Sequence, residues 1–91
     1  MEEILFESEA VQTRAEVAAY LRRIADRLDE DGEVTLSAGD ESQSVSVPAR
    51  PTFEVKVERE TPASGPAELS LELELEWDDG ADDADASLDV S

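Results

Sequence analysis

The chain has 91 residues, 25 of them Asp or Glu against 7 Lys or Arg, for a formal net charge of −18. That length makes one small domain, and phosphate recognition needs the clustered cations this composition lacks, so nucleic acid is excluded as a partner. With no Cys and no His, disulfides, thiolate metal sites and the usual catalytic bases and nucleophiles are excluded as well.

Residues 4–8, "ILFES", form a short apolar run that reads as a first strand with Ile4 and Phe6 on one side. Thr13, with Glu16 three residues later, offers the two halves of a capping box, so a helix is expected to start there. Val17, Tyr20, Leu21, Ile24 and Leu28 recur at steps of three and four and give that helix one apolar face. Gly32 ends it behind Asp29, Glu30 and Asp31, an acidic last turn that opposes the helix dipole and is expected to fray.

Beyond Gly32 the period changes from 3.6 to 2. Val34 and Leu36, then Val45 and Val47, alternate with polar residues around "SAGDESQ", which reads as a seven-residue turn, and Pro48 stops the second strand. Phe53, Val55 and Val57 alternate with Glu54, Lys56 and Glu58. After the loop "TPASGP", the stretch "LSLELELEW" alternates without a slip and stops on Trp77, the single tryptophan. Leu69, Leu71, Leu73, Leu75 and Trp77 then share one face, expected to be buried under the helix, while Glu72, Glu74 and Glu76 face solvent. If the last two strands pair, Lys56 lies among glutamates of its neighbour and softens their repulsion.

The fold expected is α+β, a two-layer sandwich with one amphipathic helix packed on a mainly antiparallel sheet of four to five strands, in the order β-α-β-β-β-β. Residues 1–79 form its single domain, and residues 80–91 are expected to be a disordered acidic tail with little to bury. The first 77 residues keep 19 of the 25 acidic groups, so the acidity belongs to the domain too. Same-face glutamates along a strand stand about 6.8 Å apart, and in about 1 M salt, where the Debye length is near 3 Å, their repulsion is screened. The surface therefore reads as one adapted to concentrated salt.

"RAEVAAYLRRIADRL", the glycine that opens "GEVTL", the strand "SVSVP" and "LSLELELEW" together resemble the amphi-Trp domain family, small proteins common in halophilic archaea. The resemblance spans about residues 4–79. It departs from the family at "SAGDESQ", which lacks paired glycines. The resemblance implies the same α+β fold and high-salt setting, and it supplies no catalytic mechanism.

No constellation of residues meets the geometric requirements of an active site, so the protein is read as no enzyme and without a cofactor. A calcium loop starting at Asp83 fails, because Leu88 stands where the sharp-turn glycine belongs and no Glu closes the loop. Cations are expected only as a nonspecific atmosphere around the acidic surface. Four of the seven basic residues lie on the helix, where Tyr20, Arg23 and Arg27 form a rim suited either to an acidic partner or to carboxylates of the same molecule. Trp77 closes the apolar stripe in phase, yet it precedes Asp78 and Asp79 and is able to reach solvent at the sheet rim. Tyr20, Arg23, Arg27 and Trp77 are thus the candidate interaction residues of a module that binds another protein or itself. The alternative is a small-ligand or anion site between helix and sheet near Trp77. No signal peptide or membrane-spanning run is seen, and a cytoplasmic location is expected.

Overall fold

A computed structural model describes residues 1–80. One helix and four antiparallel strands make up an α+β chain: α1 (Arg14–Asp29), β1 (Glu33–Ala38), β2 (Glu41–Ser46), β3 (Thr52–Glu60) and β4 (Glu68–Glu76). The strands form two separate two-stranded sheets, β1–β2 and β3–β4, rather than one sheet of four or five. Two compact units contain them, Met1–Ala49 and a second that begins at Arg50.

In the first unit the helix starts as its sequence requires. The Thr13 hydroxyl accepts from the Glu16 N–H at 3.0 Å, and a Glu16 carboxylate oxygen accepts from the Thr13 N–H at 2.9 Å, which satisfies two backbone donors that a helix start leaves free. Its end is not frayed. Glu30 N–H donates to the carbonyls of Asp26 and Arg27, and Gly32 N–H donates back to Arg27 at 3.0 Å, so the last carbonyls are closed off.

β1 and β2 pair from Glu33 against Ser46 to Ala38 against Glu41. The turn between them is therefore Gly39-Asp40, two residues instead of the seven of "SAGDESQ". Gly39 has φ +61°, the positive value that the first central residue of a type II′ hairpin turn needs. Ser42, Gln43 and Ser44 belong to the strand, and the Ser44 and Thr35 hydroxyls meet across the ladder at 2.8 Å. Val34 and Val45 are cross-strand neighbours on one face, and Val34 is the buried apolar side chain of the described residues.

Residues 4–8 form no strand. Ile4 and Leu5 are well exposed, and a five-residue run flanked by glutamates finds no ladder to join, so its backbone groups stay with solvent. The described chain accordingly runs α-β-β-β-β.

The second unit is the β3–β4 hairpin, paired from Thr52 against Glu76 to Glu60 against Glu68. Strict alternation sorts its faces. One carries Phe53 against Leu75, Val55 against Leu73, Val57 against Leu71 and Arg59 against Leu69; the other carries Glu54 against Glu74 and Lys56 against Glu72. On the apolar face Leu69, Leu71 and Leu73 are 67, 67 and 51% exposed. Leu75 and Trp77 are half-buried. Residues 81–91, most of the expected acidic tail, lie outside the described residues.

Candidate functional site

The helix rim holds three of the four candidate residues together. Tyr20, Arg23 and Arg27 line a shallow groove of about 490 Å³ beside β1, with Val34 and Leu36 on its other wall. Arg23 stands over the Tyr20 ring, its guanidinium carbon 5.7 Å from the ring centroid, a separation at which a cation is attracted by the aromatic face.

Arg27 is committed within the chain. Its Nε donates to the Glu33 carbonyl at 3.0 Å, Nη1 reaches Glu30 at 3.0 Å and Nη2 reaches Asp31 at 3.2 Å. The planar fork of arginine suits this three-way contact, which ties the end of the helix to the start of β1 and neutralises two of the acids that oppose the helix dipole. Asp31 also accepts from the Glu33 N–H at 3.0 Å. That backbone hydrogen bond, helped by the Arg27 charge and opposed by a little desolvation, holds the Asp31 carboxyl below its ordinary value.

Trp77 sits at the end of the hairpin, one residue past β4. It lines an open depression of about 540 Å³ with Thr52, Leu75, Glu76 and Asp78. Two carboxylates at the mouth of this depression give it a negative field.

The polar face of the hairpin contains an arrangement that strand periodicity alone does not reveal. Carboxylate oxygens of Glu54, Glu74 and Glu76 lie within 4.8 Å of one another, all exposed. Glu74 is pushed up from the ordinary carboxylate value, first by the neighbouring charge of Glu76 and then by a hydrogen bond with Glu54. The register is the missing signal: antiparallel pairing places Glu54 directly opposite Glu74, where like charges repel. One step along, Lys56 Nζ lies 3.7 Å from Glu72, so the single lysine sits among the glutamates as the alternation implies.

Sequence comparison adds one finding. The family model of the Amphi-Trp domain matches residues 1–91. No curated protein and no solved structure matches the chain.

Proposed function

The chain belongs to the Amphi-Trp domain family, and from that premise we propose that it is a non-catalytic interaction module adapted to concentrated salt, binding another protein or a second copy of itself. The observation that carries this reading is the apolar face of the β3–β4 hairpin. A two-stranded hairpin is marginal by itself in water, and this one holds Phe53, Val55, Val57, Leu69, Leu71 and Leu73 half to three-quarters exposed on a single face. A contiguous apolar patch rimmed by charge is the usual mark of an interaction surface.

In this reading the two-layer arrangement is confined to the helix over β1 and β2, and the hairpin face is left for the partner. The helix rim contributes less than the sequence suggests, because Arg27 is already engaged by Glu30, Asp31 and Glu33. An anion site near Trp77 is disfavoured by Glu76 and Asp78 beside it. The net charge of −18 supports a setting of high salt, and so do the rows of glutamates, which need screening most. It equally supports a nonspecific cation atmosphere, with no cofactor, no nucleic acid and no membrane among the partners; no helix of the described residues is long and apolar enough to cross a bilayer. A cytoplasmic location completes the proposal.

Amide hydrogen exchange in about 2 M KCl tests it. Protection of residues 52–76 is expected to rise with protein concentration or on addition of a partner, while the helix stays unchanged. Full protection of the hairpin in a dilute monomer would mean that the chain covers the face itself, and the interaction reading would fall.

A further inference from the structure

We propose that the apolar face of the β3–β4 hairpin is closed by the same face of a second copy of this chain, the two hairpins stacked face to face about a two-fold axis that runs across the strands. The inference rests on the interaction reading above and names its partner.

Three observations carry it. The first is charge. On a chain of net charge −18, the face made by Phe53, Val55, Val57, Leu69, Leu71 and Leu73 bears no carboxylate, because the alternation sends the glutamates of both strands to the opposite side. Two acidic copies are therefore able to approach through this face with their glutamates turned outward.

The second is area. Those six side chains are 51–71% exposed, which leaves roughly 600 Å² of apolar surface per copy, and Leu75 and Arg59 extend it toward the about 800 Å² per partner of a stable interface. Two sheets packed this way stand about 10 Å apart, and their side chains interdigitate into the core that neither hairpin has alone.

The third is the polarity of the ends. Arg59, opposite Leu69, is the one charged residue on the apolar face, and among the described residues it makes no ion pair. Phe53 and Leu75 lie at the other end, followed in the chain by Trp77, Asp78 and Asp79. A two-fold axis across the strands, between the pairs Val55–Leu73 and Val57–Leu71, reverses the strand direction and carries each Arg59 to the aromatic and acidic end of the other hairpin. There the guanidinium meets aromatic rings and carboxylates, and the contact occurs twice by symmetry. A symmetric interface needs a self-complementary patch, and an isolated cation at one end with aromatic and acidic residues at the other supplies it.

Sedimentation equilibrium of the full chain in about 2 M KCl, which screens the net charge, is the test. The wild type is expected to be a dimer, Leu71→Asp a monomer, and Arg59→Glu a dimer weakened about tenfold, with much of the loss recovered when Asp78→Arg and Asp79→Arg are added. The strand signal in circular dichroism controls for folding of the hairpin, and Arg59→Glu, at an exposed end of the hairpin, keeps the test decisive if Leu71→Asp unfolds. A wild type that stays monomeric at about 200 µM, far above the dissociation constants of stable interfaces, overturns the second copy; hydrogen exchange on that monomer then decides whether the wider interaction reading falls with it. A dimer indifferent to both Leu71→Asp and Arg59→Glu overturns this face while self-association stands.

Discussion

Gly32 and Val47 approach so closely that a Cβ on the glycine would lie 2.5 Å from the Val47 carbonyl oxygen, while the Val47 N–H donates to the Gly32 carbonyl at 2.9 Å. The glycine also has φ +77°. It closes the helix, extends the β1–β2 ladder by one bond and turns the chain between them, three tasks that a side chain would obstruct.

Gly32→Ala is accordingly expected to destabilise the first unit by roughly 2–3 kcal/mol, about half from the left-handed backbone and the rest from displacing Val47. Thermal unfolding followed at 222 nm measures it. A variant with an unchanged midpoint would mean that the backbone relaxes freely here.

Arg27 is the second hinge of that junction. Arg27→Lys keeps the charge but loses the fork that serves Glu30, Asp31 and the Glu33 carbonyl together, so a loss of about 1 kcal/mol is expected, small because these groups are half exposed. Denaturant unfolding of Arg27→Lys beside Arg27→Ala separates charge from geometry, and equal midpoints for Arg27→Lys and the wild type would remove the geometric role.

The helix was legible because a capping box and a 3.6-residue stripe agree, and β3 and β4 because their alternation never slips. The Gly39-Asp40 turn was not, since Glu41, Ser42 and Gln43 read as turn residues by type, and only pairing with β1 makes them part of a ladder. Residues 4–8 misled in the opposite direction: an apolar run becomes a strand only if a ladder accepts it. The commitment of Arg27 depends on where β1 returns, and the Glu54, Glu74 and Glu76 group depends on register. Neither is a property of local sequence.

Trp77 is half-buried, a position between a core side chain and an exposed interaction residue. Trp77→Ala is expected to cost about 1–2 kcal/mol, less than the 3–5 kcal/mol typical of a fully buried tryptophan, and Trp77→Phe less still. Urea unfolding supplies the number. Wild-type emission should lie between buried and solvent-like, and a fully solvent-like maximum with no change in midpoint for Trp77→Ala would leave the side chain without a structural part.

Acid stability should depend on Asp31. Its carboxyl is held below the ordinary value chiefly by the Glu33 N–H, so its contribution is present above its unfolded value of 3.8 and is lost as the pH falls through the lower folded value. Asp31→Asn should therefore lower the midpoint at pH 7 and have little effect at the acid end of the transition. Unfolding curves for both proteins across pH 2–7 would contradict this if they stayed parallel throughout.

Glu74 has the opposite sign. The charge of Glu76 and the hydrogen bond with Glu54 raise its carboxyl, so the folded hairpin holds this proton more tightly than the unfolded chain does, and stability is gained as the pH falls through the raised value and is forgone above it. The three carboxylates crowd one another on the polar face, and the charge on Glu74 adds to that repulsion. Glu74→Gln removes the central charge and should raise the midpoint in dilute buffer, whereas in about 2 M KCl, where the Debye length is only 2–3 Å, the gain should disappear. The same titration with wild-type protein should show stability rising with salt, as rows of like charges on one face require. A Glu74→Gln gain that persists unchanged in concentrated salt would trace the effect to packing rather than repulsion, and a wild type equally stable at low and high salt would remove the physical basis for a surface built for brine.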